Sequence, residues 1–528
     1  MSRFDWLSEY LARLQAEHVV VHGSDATALA PAHSLWLDAE DWGRAARVAA
    51  DFGCRWAGVW GDPGADEIVV RACLEYQGDY LALVTRIATA SPVLASHSPW
   101  FAGASRLERH LQDMLGVVFL DHPDGRRWTR HQAWPEGSYP LRVDFPVAGH
   151  APGRTPSDSE YPFERVQGGG VCEIPVGPVH AGTIEPGHFR FQAVGEDVLS
   201  LEERLGYVHK GIEKIAVGRD AAALARLAGR VSGDSTVAHA WAACMAMERA
   251  TGSPVPERAL AVRAVLAERE RIANHLGDIG AICNDVGFAF VHMQCARLRE
   301  QWQRRSREMF GHRFMMDAVV PGGVAYDLDI VAAARLRGDG SRLAAAIDPL
   351  FDIIDDYPSL EDRLVGTGRL STADARALGC TGYVGKASGA GFDVRRDSAY
   401  APYDRYPPAV PVLREGDVAA RVQVRMSEVR TSLALLRSLL DNLPKGPVMQ
   451  PLEVPRGGAE GLGMVDGWRG EVVTFVRFDA SGRIARFFPR DPSWFTWPAL
   501  ERLIQGNIVP DFPVCNKSVN GSYSGHDL

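Results

Sequence analysis

Between Pro256 and Pro321 the chain contains no proline, and the apolar residues of ERALAVRAVLAERERIANHLGDIGAICNDVGFAFVHMQCARLREQWQRRSREMF recur at helical spacing. A stretch that holds this period for so long predicts two long helices with a break near Gly287. Further helices are expected in SRLAAAIDPLFDIIDDY and DVAARVQVRMSEVRTSLALLRSLLDNL. EVVTFVRFDASGRIARFFPR reads instead as two strands joined by an Ala-Ser-Gly turn. With 528 residues, 46% of them hydrophobic, the chain can fill two or three cores.

Ahead of the helices, residues 1–146 alternate short helices and strands, as in EIVVRACLEY followed by DYLALVTRIA, and predict a small α+β domain. Residues 147–170, VAGHAPGRTPSDSEYPFERVQGGG, are rich in Pro, Gly and Ser and read as a linker. The remainder, 171–528, is expected to be mainly helical. A β-hairpin should open it and a β element should lie near the C-terminus, so the fold class is α+β.

Charge narrows the function classes. Basic residues number 57 and acidic residues 66, well mixed, for a net charge of -9, which argues against a nucleic-acid surface. No two of the eight cysteines are spaced C-x-x-C, which suits isolated reduced thiols of a cytosolic protein better than a disulfide framework or a cluster site. The start, MSRFDWLSEYLARLQAEH, has no apolar signal core, and no apolar run is long enough to cross a bilayer. A chain neither secreted nor itself membrane-spanning is expected.

Residues 108–146, ERHLQDMLGVVFLDHPDGRRWTRHQAWPEGSYPLRVDFP, resemble the small peripheral-arm subunit of respiratory complex I. In membrane-bound nickel-iron hydrogenases of group 4 that subunit is fused ahead of the large one. GPVHAGTIEPGHFRFQAVGEDV, RLGYVHKGIEK, GCTGYVGKASGAGFDVRR and WPALERLIQGNIVPDFP resemble the large subunit itself, in family order. The same segments resemble the homologous quinone-site subunit of complex I.

The resemblance implies four cysteine thiolates, one C-x-x-C pair near the start of the large subunit and one near its end, because soft donors suit these metals. The frame is kept in RVSGDSTVAH and GSYSGHDL, but the four positions are Ser232, Ser235, Ser522 and Gly525. A protonated hydroxyl is a hard, weak donor and glycine has no side chain, so no metal or other cofactor is expected in this chain.

Other roles follow by the same resemblance. His188 and Asp285 lie near the quinone-site histidine and aspartate of complex I, and Arg230 replaces a tyrosine that donates a hydrogen bond to the quinone. Glu213 matches a glutamate that hands protons to a metal-bound cysteine. In a closed cavity it is expected to keep its proton near neutral pH and to serve as a donor. Arg456, in VPRGG, matches the arginine beside the metal's diatomic ligands, and His180 and His239 match cavity-wall positions. The expected catalytic set is Glu213, Asp285 and His188; the expected substrate-binding set is His180, His188, Arg230, His239 and Arg456. Arg271, His275, Asp278 and Asp285 would share one helix face, as a proton relay or as a buried ion-pair seam.

The activity implied is proton-coupled oxidation or reduction of a quinone-like substrate. Electrons would come from the 4Fe-4S cluster of a partner small subunit, beside a ferredoxin-like subunit and antiporter-like membrane subunits. The implied location is the cytoplasmic face of the cell membrane, peripherally attached. A non-catalytic coupling role is the alternative, and hydrogenase activity is disfavoured by the missing thiolates.

Overall fold

The computed structural model describes residues 6–131, 134, 137–149, 161–180 and 184–528. The amino-terminal part is a sheet of β1 (Val21–Asp25), β2 (Ala32–Leu37), β3 (Arg55–Pro63), β4 (Glu67–Tyr76) and β5 (Asp79–Ala88) in the order β1-β2-β5-β4-β3. β4 and β5 are the two apolar runs of the sequence. They pair antiparallel from Glu67 with Ala88 to Tyr76 with Asp79. Gln77 and Gly78 turn between them with φ of 51° and 91°, the left-handed pair that a two-residue hairpin needs. β2 and β5 run parallel, and the crossover between them includes α1 (Trp42–Phe52). A second helix, α2 (Ser105–Leu115), packs on β3.

The larger part opens with an antiparallel sheet, β6 (Val171–Val176), β7 (His188–Val194) and β8 (Asp197–Arg204). There follow α3 (Ile212–Ile215), α4 (Thr236–Thr251), α5 (Glu257–Asp285), α6 (Ala289–Phe310) and α7 (Ile330–Asp355). The expected break falls between α5 and α6, where Gly287 takes φ 87°. α7 starts well before the expected SRLAAAIDPL run. Asp329 caps it by accepting from the Ala332 amide at 2.7 Å, and the helix tolerates Gly338 and Gly340 because Leu336 and Leu343 are buried against the core. After α8 (Gly382–Ala387) and α9 (Val394–Asp397), α10 (Val418–Asp441) fits the sequence expectation and packs on α5 and α7. None of the helices among the described residues is long and apolar enough to cross a membrane.

A C-terminal sheet of β9 (Glu460–Gly467), β10 (Gly470–Phe478) and β11 (Ile484–Arg490) precedes α11 (Phe512–Val519) and α12 (Tyr523–Asp527). β10 and β11 are the expected hairpin. β9 is not foreseen, since EGLGMVDG is glycine-rich and glycine weakens a strand. Its glycines serve close packing. A Cβ on Gly463 would lie 1.9 Å from the Ala242 carbonyl oxygen of α4, and one on Gly461 would lie 2.1 Å from that of Ala246.

The amino-terminal part is joined to the rest by buried charge. Arg55 bonds Glu471 at 2.8 Å, Arg71 bonds Glu460 at 2.6 Å and Arg477 bonds Asp62 at 2.6 Å. Residues 150–160 of the expected linker lie outside the described residues, while Tyr161 beyond them accepts a hydrogen bond from Arg109 at 2.6 Å. The β9 contact is tested by denaturant unfolding. Gly463→Ala should cost at least about 3 kcal/mol because backbone must move, whereas Gly169→Ala, in open space, should stay within about 0.5 kcal/mol.

Candidate functional site

The four positions at which the resemblance implies thiolates lie in one cluster. Ser232 precedes and Ser235 ends a short 3-10 turn that feeds α4, and Ser522 caps α12 by accepting from the Gly525 amide at 2.9 Å. The Ser232 and Ser522 hydroxyls are 2.8 Å apart, and Ser232 donates to Asp234 at 2.7 Å. Arg469, in the β9–β10 turn, grips both Asp234 oxygens at 2.7 and 2.8 Å. It also donates to the Ser235 hydroxyl at 3.2 Å and to the Asn520 carbonyl at 2.6 Å. A cavity of 270 Å³ opens beside this cluster, lined by Glu185, Ser232, Asp234, Arg469, Ser522 and Ser524 among others.

These residues do not fit a nickel-iron group. The hydroxyls are committed to one another and to Asp234, and none is a thiolate. At the fourth position a Cβ on Gly525 would lie 2.7 Å from the Asp491 Cγ, so a cysteine could enter only by displacing Asp491. That carboxylate is pinned by His239 at 2.8 Å and by the Ser493 amide at 2.8 Å. Burial works against its charge, but His239 and Arg469 hold its pKa well below the usual range.

Glu213 is placed differently from expectation. It is buried in α3, with His110 of α2 at 2.7 Å from one oxygen and Arg486 of β11 at 2.5 Å from the other. His110 is itself held by the Thr129 hydroxyl at 2.7 Å. Burial alone would raise the carboxyl pKa, yet Arg486 and His110 outweigh it and bring it down to about 2. The expected neutral proton donor is therefore an ionised carboxylate at the join of the two parts of the chain.

The other expected residues do not assemble into one site. His188 is buried at the start of β7, accepting from Arg190 at 3.1 Å under the Phe163 ring. Asp285 ends α5 in an ion pair with Lys517 at 2.5 Å, so the two expected quinone-site residues have separate partners. Arg230 lies on the surface, bonded to Asp317 at 2.8 Å. His180 braces the β6–β7 connection through the Gly187 carbonyl at 2.8 Å. His239 stands behind Asp491 and lines no part of the cavity. Arg456 is exposed before β9, and Arg469 is the arginine at the cluster. Asp234, Arg469 and Asp491 are the site residues that sequence reasoning missed. Only Asp234 left a signal, as an acid set between the two serines of the motif.

Comparison with known proteins agrees with this architecture. Residues 35–151 match the family described as respiratory-chain NADH dehydrogenase, 30 Kd subunit, residues 210–277 match nickel-dependent hydrogenase, and residues 285–456 match the 49 Kd subunit of the same dehydrogenase. Formate hydrogenlyase subunit 5 of Escherichia coli (strain K12) is 33% identical over 440 residues, 83% of this chain and 77% of that protein. The carbon monoxide-induced hydrogenase of Rhodospirillum rubrum is 33% identical over 66% of this chain and 96% of its own length. The C/D fusion protein of the NADH-quinone oxidoreductase of Bacteroides fragilis is 30% identical over 80% of this chain and 82% of its own. Among solved structures, one of the membrane-bound sulfane sulfur reductase (MBS), an archaeal respiratory membrane complex, superposes with a TM-score of 0.63 at 26% identity, covering 68% of this chain and 98% of that one. The chain belongs to the oxidoreductase family of hydrogenase and complex I large subunits, with the small complex I subunit fused in front.

Because the folded pKa of Glu213 lies below its unfolded value, its stabilisation is present above about pH 4.5 and is lost as pH falls toward 2. Glu213→Gln should therefore cost about 3 kcal/mol at pH 7. The gap to wild type, read by denaturant unfolding, should narrow as the pH is lowered through that window.

Proposed function

We propose that this chain is the large subunit of a membrane-associated, complex I-like oxidoreductase, attached to the inner face of the membrane. In this reading the emptied metal site takes the polar head of a quinone-like substrate. The observation that supports it best is the meeting of Ser232 and Ser522, 2.8 Å apart, in the wall of a cavity that Ser524 and Arg469 also line. The Ser524 hydroxyl, whose contact to Ser522 is a long 3.4 Å, is able to donate to a quinone carbonyl, while Ser232 and Ser522, whose protons are engaged, retain lone pairs that accept from a quinol hydroxyl. The Arg469 guanidinium stands beside them, where charge on a reduced ring would be stabilised. Electrons reach the substrate from the 4Fe-4S cluster of a partner small subunit, fed by a ferredoxin-like subunit, while antiporter-like subunits form the membrane arm. The named relatives, from a formate hydrogenlyase and an NADH-quinone oxidoreductase, are consistent with such an assembly.

A second reading, a coupling role without chemistry of its own, draws support from Glu213, whose pairing with Arg486 and His110 withdraws it as an acid. The two readings separate in the assembled complex. The Ser524 side chain makes only a 3.4 Å hydroxyl contact to Ser522, its other bonds being those of its backbone, so Ser524→Leu puts an apolar side chain into the cavity lining while breaking no short side-chain hydrogen bond. Reduction of a short-chain quinone should slow at least about tenfold, roughly 1.4 kcal/mol of barrier, with assembly intact. An unchanged rate would favour the coupling role.

A further inference from the structure

Between α5, α8, α9, α10 and β9 lies a sealed cluster of charge. Glu268, Arg271, Lys386, Asp393, Arg395, Glu428 and Asp466 are each no more than 2% exposed. Lys386 bonds Asp393 at 2.6 Å and Glu428 at 2.7 Å. Arg395 bonds Asp393 at 2.7 Å and Glu268 at 2.9 Å. Arg271 reaches Glu268, Glu428 and Asp466, each at 3.4 Å. Four carboxylates thus face three permanent cations, and a buried cluster with one unbalanced charge is costly unless one member takes a proton.

The surrounding charges supply no spare cation to close the gap. Arg425 pairs with Asp278, Arg469 with Asp234, Arg263 with Glu248 and Arg396 with Asp397. Across the β9–β10 ladder Glu471 is held by Arg55 and Arg490. Glu270 of α5 turns to the Val237 and Ala238 amides of α4. Tyr400, Tyr403 and Ser432 contribute hydroxyls only.

Geometry selects the member that carries the proton. His275 donates to the Glu428 carboxylate at 2.6 Å, but its second nitrogen is buried without a partner, so a charged imidazolium would strand an N–H. Glu268, Asp393 and Glu428 each have contacts of 2.9 Å or shorter. Asp466 has only the Arg271 guanidinium at 3.4 Å and the Val394 amide at 3.3 Å. Burial first, and Asp393 next, push its pKa up to about 6.

We infer that Asp466 is a proton-exchanging site of this chain, protonated when negative charge arrives in the neighbouring cavity and deprotonated when that charge leaves. The inference rests on the redox reading above for the origin of the charge. Asp466 lies near the end of β9, three residues before Arg469 of the β9–β10 turn, and Arg271 clamps this strand end through the Asp466 and Gly467 carbonyls at 2.7 and 3.0 Å. The proton is taken from and returned to solvent. One carboxyl O–H bond forms or breaks, and no electron passes through the cluster.

Infrared difference spectra of the full chain, labelled with carbon-13 aspartate, test the site across a pH titration. A buried carboxylic-acid band should grow as the pH falls through about 6 and vanish in Asp466→Asn. In Glu268→Gln, which leaves three carboxylates for three cations, its midpoint should fall by at least about one pH unit. A band that survives Asp466→Asn, a midpoint unmoved in Glu268→Gln, or no band in wild type would overturn the inference. In the assembled complex, reduction of the partner cluster should raise the wild-type midpoint, and a midpoint indifferent to reduction would likewise overturn the coupling. If the band titrates and shifts as expected while no quinone is reduced, the proton site stands and the quinone reading fails.

Discussion

The Arg469–Asp234 ion pair, with the Ser232–Ser522 hydrogen bond beside it, joins the two chain segments at which the resemblance implies metal ligands. Ser232 and Ser522 are 290 residues apart in sequence, so this contact fixes the C-terminal helix against the start of α4. A bidentate guanidinium–carboxylate pair is worth having in a partly buried place only when its remaining donors are used. Here Ser235 and the Asn520 carbonyl use them. The cluster therefore closes as a self-satisfied polar unit and leaves a cavity at its side.

The rest of the structure brings Arg469 to that place. β9 lies against α4 with glycine meeting alanine backbone, and only this closeness lets the β9–β10 turn reach Asp234. The amino-terminal part then packs on the outer face of the same sheet. Its His110 crosses the join to meet Glu213, and its Arg55 and Tyr80 converge on Glu471. The fused small subunit is thus a wall of the molecule, and its His110 adds to Arg486 in holding Glu213 of the large part ionised.

Much of the fold was legible where a local period carried it. The α5–α6 break at Gly287, the extent of α10 and the β10–β11 hairpin all follow from apolar spacing and turn residues. β9 was not legible, because its glycines answer to α4 rather than to strand propensity. At the site, Ser232 and Ser522 could be singled out because the motif around each is kept, and the two are hydrogen-bonded to each other. Roles fared less well. The ionisation of Glu213 depends on partners in a different part of the fold, one of them 103 residues away. The arginine at the cluster proved to be Arg469 rather than Arg456, since the choice is made by tertiary contact with Asp234, 235 residues distant.

Both functional readings require that this member of the family works, or couples, without a metal at its serine cluster. Elemental analysis of the purified assembled complex tests that requirement most directly. Nickel should be absent, and iron should be present only in the amount that the partner subunits' clusters require; one nickel per copy of this chain would contradict both readings.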